Sequence, residues 1–189
     1  MKKNYLILAS GLLFLFGCTT QNWDTQTGTW ATSSIDQTTI KWQNYDNKQD
    51  GFSIQFPGNR TFQENVYGSS IIFFTPVLTW DNLKENVGII KKTLDKDYSL
   101  DEYYSITKSE LIKLIPWFTE ISNESLKIND IDAKKLIYTG TQSNSILKWE
   151  QIYLIKNKAV YIITYTATDA TFDDFATKVD EMATTLELQ

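Results

Sequence analysis

The chain has 189 residues, 42% of them hydrophobic, and a net charge of −5 with no histidine and one cysteine. That length and apolar content support one substantial core and so one domain, while an acidic chain with no dense Lys/Arg cluster repels phosphate backbones and excludes nucleic acid as a partner. The missing histidine removes the usual general base and the commonest metal ligand, and a lone cysteine excludes an internal disulfide, a CxxC redox pair and a cysteine zinc site.

Lys2 and Lys3 precede the apolar run Tyr5 to Phe16, which ends in Gly17 and Cys18. Charge, apolar stretch and small residue in that order are the layout of a secretory signal, and ~12 apolar residues are too few for a helix to span a bilayer. Leu15, Phe16, Gly17 and Cys18 resemble the lipobox of bacterial lipoproteins, in which the cysteine is lipidated and becomes the mature N-terminus. The resemblance implies a leader over residues 1–17, a lipid anchor on Cys18 and an extracytoplasmic location on a bacterial membrane. Several acyl chains make such an anchor stable, where a single chain binds only marginally. Loss of Lys2 and Lys3 takes the net charge to −7.

Residues 18–40 are dominated by Thr, Ser, Gln and Asn, with Trp23 and Trp30 isolated among them and no apolar period. This is the composition of a tether, which as a flexible coil spans on the order of 25 Å. The domain then occupies residues 41–189. Asn44 to Asn47 read as a polar turn before Phe52, Ile54 and Phe56, which alternate with Ser53 and Gln55 and stop at Pro57. Short strands follow at Ser70 to Thr75 and Asn86 to Leu94, separated by a loop around Trp80, Asp81 and Asn82.

Ser99 followed by Glu102 matches a helix capping box, and Leu100, Tyr103, Tyr104, Thr107, Leu111, Leu114 and Ile115 share one helical face up to Pro116. Trp117 and Phe118 read as core filling between helix and strand, with an exposed partner contact as the competing reading. Phe118 to Ile128 and Ala133 to Gly140 form two strands around a turn at Asn129 and Asp130.

Leu147 to Thr168 is a β-hairpin about Lys156, Asn157 and Lys158. Trp149, Tyr153 and Ile155 point to one side of its first arm and Ile152 and Leu154 to the other; Val160 and Ile162 oppose Tyr161, Ile163 and Tyr165 in the second. Both faces are apolar, so the hairpin is central and covered on both sides. Thr171 is placed to cap a last helix in which Phe172, Phe175, Ala176, Val179, Met182, Ala183 and Leu186 recur at helical spacing. Two amphipathic helices and one two-sided sheet predict an α+β fold, an αβα sandwich: a mostly antiparallel central sheet of about six or seven strands with a helix on each face.

Tyr45 to Pro57 (YDNKQDGFSIQFP), Ala133 to Thr139 (AKKLIYT), the Tyr161 to Thr168 arm and the Phe172, Phe175 helix start resemble the PsbP family, named for an extrinsic subunit of photosystem II. The resemblance runs from Trp42 to Leu188, with Arg60 and Phe62 where a tryptophan usually follows the first proline. It implies an αβα sandwich and, from the family's non-photosynthetic members, an exported accessory or binding role. The metal-binding histidines of photosynthetic members have no counterpart in a chain without histidine.

No GxSxG elbow, phosphate-binding glycine loop or zinc motif occurs. Asp95, Asp97, Asp101 and Glu102 form the densest carboxylate group, a conceivable loose cation site, but helix capping accounts for the last two. No catalytic, cofactor or metal residue is assigned; the lipidation site is Cys18. The expected function is that of a lipid-anchored, non-enzymatic accessory or binding protein of an envelope complex, whose partners are membrane lipid and an unidentified envelope protein. The alternative is a carrier of small ligands or cations.

Overall fold

A computed structural model describes residues 40–75 and 84–189. The signal, Cys18, Trp23, Trp30, all but the last residue of the tether, and the loop around Trp80 lie outside the described residues.

The long hairpins organise the domain. Strands β1 (Trp42–Asn47), β2 (Phe52–Pro57), β3 (Thr61–Val66), β4 (Ser69–Phe74) and β5 (Asn86–Thr93) precede helix α1 (Leu100–Leu114). Strands β6 (Thr119–Ile128), β7 (Ile131–Gln142), β8 (Ser145–Lys156) and β9 (Ala159–Thr168), helix α2 (Phe172–Thr184) and the short β10 (Glu187–Leu188) complete the chain. Turns β6–β7, β7–β8 and β8–β9 each place two residues at positive φ: Asn129 and Asp130, Ser143 and Asn144, Asn157 and Lys158. Such two-residue turns follow the right-handed twist of the strands they join, so these four strands form one continuous antiparallel meander.

Seven strands make the main sheet in the order β3-β4-β5-β9-β8-β7-β6, every neighbour antiparallel. The β8–β9 hairpin occupies its interior, as its two apolar faces require. Helix α1 covers one face: Tyr103, Leu111 and Ile115 pack with Leu136, Tyr138, Trp149, Tyr153, Val160 and Ile162. Helix α2 covers the other, where Phe172, Val179, Met182 and Leu186 meet Ile152, Leu154, Tyr161, Ile163 and Tyr165. The expected sandwich, with a helix on each side, is the fold observed.

The N-terminal strands depart from expectation. Asn44 to Asn47 belong to β1, and the tight turn comes later, closed by the Gly51 amide on the Asn47 carbonyl at 2.8 Å. Strand β2 leaves the main sheet altogether, pairing with β1 and β10 in a three-stranded sheet on the α2 side. Its Phe56 lies 4.7 Å from the Phe73 ring, and Phe52 lies 6.4 Å from Tyr161. Strand β3 takes the edge place instead. Its polar sequence is that of an edge strand, with one side open to water.

Both helices end differently from their sequence signals. Leu114 is exposed while Leu111 and Ile115 on either side of it are buried, so the buried stripe of α1 is narrower than its spacing suggests. Thr171 does not cap α2: its backbone is helical and its hydroxyl bonds Thr168 at 2.8 Å, leaving no oxygen aimed at the first free amides.

Candidate functional site

The acidic group before and within the first turn of α1 disperses onto lysines. Ser99 Oγ accepts the Glu102 amide at 3.1 Å, closing the cap that the spacing predicts, while the Glu102 carboxylate pairs with Lys96 at 2.8 Å. Asp101 reaches Lys134 at 2.9 Å and Asp97 reaches Lys158 at 3.5 Å. With these carboxylates turned to different ammonium groups, Asp95, Asp97 and Asp101 do not converge. Among the described residues no three metal-ligating side chains gather at one point.

A second acidic cluster, unseen in the sequence, forms under α2. Lys135 on β7 holds Asp180 of α2 at 2.9 and 3.1 Å and Glu124 of β6 at 3.1 Å, and lies 3.9 Å from Glu150 of β8. Glu150 is 1% exposed, and its Oε1 has no hydrogen-bond partner among the described residues. Burial, and then the neighbouring Asp180 charge, push its pKa up to about 8, so it keeps its proton at neutral pH. Burial pulls Lys135 down, yet its bonds to Asp180 and Glu124 outweigh this and raise it. A carboxyl protonated near neutrality is chemically equipped to be a general acid, but catalysis also needs access. Neither cavity described below is lined by Glu150. The signal available was one acidic residue, Glu150, beside Gln151 in the stretch from Leu147 to Ile155, whose second half is apolar.

Trp117 is the third feature. It is 85% exposed with φ at 60°, so the expectation that it fills core is wrong, whereas Phe118 stacks on Tyr138 at 5.0 Å. The cause is backbone geometry. Pro116 ends the helix and its carbonyl accepts the Thr141 amide at 2.8 Å, so the chain must reverse within one residue to start β6. Gly140 makes this crossing possible, since a Cβ there would come within 2.2 Å of Ile115 Cγ2. The reversal turns Trp117 outward. Ile112, Leu114 and Ile121 near it in sequence, and Ile146 opposite Thr141 in the ladder, are exposed as well. Left-handed backbone costs a bulky residue about 1 kcal/mol, so Trp117→Gly should leave stability unchanged or raise it by up to about 1 kcal/mol. Urea denaturation checks this; a loss near the ~3–5 kcal/mol of a core aromatic would mean that the side chain is buried.

Two cavities accompany these features. One, of about 340 Å³, lies over the small sheet and is lined by Asn44, Asp46, Gln55, Glu187 and Gln189 among others; it is not a cleft between the main sheet and a helix. The other, of about 20 Å³, lies where the chain enters the domain, between Trp42, Arg60 and Phe175.

No family model matches the chain, and comparison with curated proteins finds no match. Solved structures do match. The cyanobacterial PsbP of Synechocystis superposes with a TM-score of 0.60 at 13% identity, over 86% of this chain and 98% of that one. LpqN of Mycobacterium tuberculosis, described as involved in cell envelope biogenesis, gives 0.61 at 14% identity over 80% and 92%. A Pseudomonas aeruginosa protein of unknown function, a putative regulator, gives 0.59 at 17% identity over 78% and 97%. The domain is PsbP-like in fold.

Proposed function

We propose that this chain is an extracytoplasmic lipoprotein, anchored through Cys18, whose PsbP-like domain serves a non-enzymatic accessory or binding role in an envelope complex. Support for the address comes from the lipobox-like Leu15 to Cys18 and from a fold shared with an envelope protein. The observation that carries the binding role is Trp117, held fully in water by a left-handed backbone in a chain whose Trp149 is buried. Solvent-facing tryptophans of this kind are preferred anchors of protein interfaces. The acidic groups, by contrast, are engaged with lysines or enclosed.

Cys18→Ser is expected to abolish labelling with a palmitate analogue and to move the protein from the membrane to the soluble fraction. Unchanged labelling would remove the anchor from this reading. Crosslinking of the anchored form in intact cells, followed by mass spectrometry, should recover an envelope protein from wild type and lose it from Trp117→Gly. An undiminished crosslink in that stable variant would remove Trp117 as the contact.

A further inference from the structure

A positively charged side chain with no assigned task lies at the end of the domain where the chain enters. Arg60 follows the turn from Pro57, in which the Arg60 amide donates to the Pro57 carbonyl at 3.0 Å and the Gly58 amide donates to the Lys41 carbonyl at 2.9 Å. This turn sends the side chain inward. Arg60 is only 8% exposed, yet its Nε and Nη1 hydrogens find no acceptor among the described residues. Its guanidinium carbon lies 5.5 Å from the centre of the Phe175 ring, which supports the cation without meeting its N–H groups. Glu85, a buried acid whose charge acts on Arg60, spends one oxygen on Thr75 Oγ1 at 2.8 Å, leaves the other without a partner among the described residues, and forms no hydrogen bond with Arg60. A buried guanidinium left this way is costly, because guanidinium donors are normally satisfied by carboxylate or phosphate oxygens.

Arg60 also lines the small cavity, whose remaining walls are Ile40, Trp42, Pro57, Asn59, Phe175 and Lys178. About 20 Å³ admits one or two water-sized groups, enough for the oxygens of an anionic head but not for a sugar or nucleotide. Lys178 adds a second positive charge. Among the described residues it is held by Glu181 at 2.7 Å in a partly exposed pair, which water and salt readily loosen. One carboxylate needs one cation; a phosphate spreads its charge over several oxygens and suits two.

We propose that Arg60 and Lys178 form a binding site for a phosphate group, with the rest of the phosphate-bearing molecule outside the pocket. A phosphate of this kind comes either from a lipid head group or free in solution. Ile40 and Trp42 of the entering chain line the cavity, so if the anchor at Cys18 is as proposed above, bilayer phosphates are a nearby source. The net-acidic surface makes this a defined site rather than a diffuse basic patch.

The test uses the full chain carrying Cys18→Ser, so that it does not depend on lipidation. Inorganic phosphate at millimolar concentration should raise its Tm, because a ligand bound only by the native state stabilises it, while equal acetate should not. Arg60→Met should abolish that shift and, in phosphate-free buffer, melt no lower than its parent, since it removes a buried unpaired charge. Flotation separates the two sources. Binding to phosphatidylcholine vesicles roughly tenfold above phosphate-free galactolipid vesicles, and lost in Arg60→Met, identifies a lipid head group; a phosphate shift without vesicle binding identifies free phosphate. The proposal is overturned if phosphate leaves Tm unmoved, if acetate matches it, or if Arg60→Met melts well below its parent without phosphate, the mark of a structural pair with Glu85.

Discussion

Glu150→Gln is expected to stabilise the protein, by an amount that grows with pH. The folded chain holds the Glu150 proton up to about pH 8, whereas the unfolded chain releases it near the ordinary value of 4.5. Between these values the native state binds one more proton than the unfolded state, so wild-type stability falls as pH rises, by about 1.4 kcal/mol per pH unit. Below pH 4.5 both states are protonated and the contribution vanishes; above pH 8 the loss is complete. Glutamine keeps the shape and carries no titrating proton. The variant should therefore differ little from wild type at pH 5 and exceed it by roughly 5 kcal/mol at pH 9. Urea denaturation across that range measures the difference. Parallel pH profiles for the two proteins would show that Glu150 is ionised in the fold and that Lys135 compensates it fully.

Trp149→Ala is expected to cost about 3–5 kcal/mol, a large part of the ~5–15 kcal/mol by which small domains are stable. Trp149 is 2% exposed on the central strand β8, stacked 5.2 Å from Tyr138 and pressed beneath Gly140. Tyr138 in turn stacks on Phe118, so the three rings tie the segment entering β6 to β7 and β8 beneath the end of α1. Truncation leaves a cavity that this rigid stack cannot close. Equilibrium unfolding followed by circular dichroism gives the value; a cost below about 1 kcal/mol would mean that the α1 side packs loosely. Set beside the neutral Trp117→Gly, this variant separates two tryptophans that no composition argument distinguishes.

How much of the domain was legible follows from how local each signal is. The alternation in Trp149, Ile152, Tyr153 and Leu154 is a property of one strand, and it correctly placed those side chains on opposite faces. Helix periodicity worked for Val179, Met182 and Ala183 for the same reason. Strand β3, by contrast, has no local signal: Thr61, Gln63 and Glu64 are polar because β3 is an edge, and being an edge is a matter of neighbours. The removal of β2 to a separate sheet is likewise invisible, since Phe52, Ile54 and Phe56 alternate identically wherever that strand pairs.

The candidate sites show the same division more sharply. Asp101 and Glu102 could be read as helix capping because both act within one turn, and Ser99 closes the cap as its spacing requires. Arg60 and Phe175 are separated by more than a hundred residues, and the cluster of Glu124, Lys135, Glu150 and Asp180 draws on three strands and a helix. Their chemistry arises from burial and proximity, neither of which a linear pattern carries.

By itself, then, the order of residues determined an antiparallel αβα sandwich with a central two-faced hairpin, because strand and helix periods are short-range and each apolar face demands cover. Only the packed molecule decided that Trp117 faces water, that Glu150 keeps its proton and that Arg60 is buried without an acceptor. The reason is physical: exposure, desolvation and unmet hydrogen bonds depend on what lies within a few ångströms in space, and those neighbours come from distant parts of the chain.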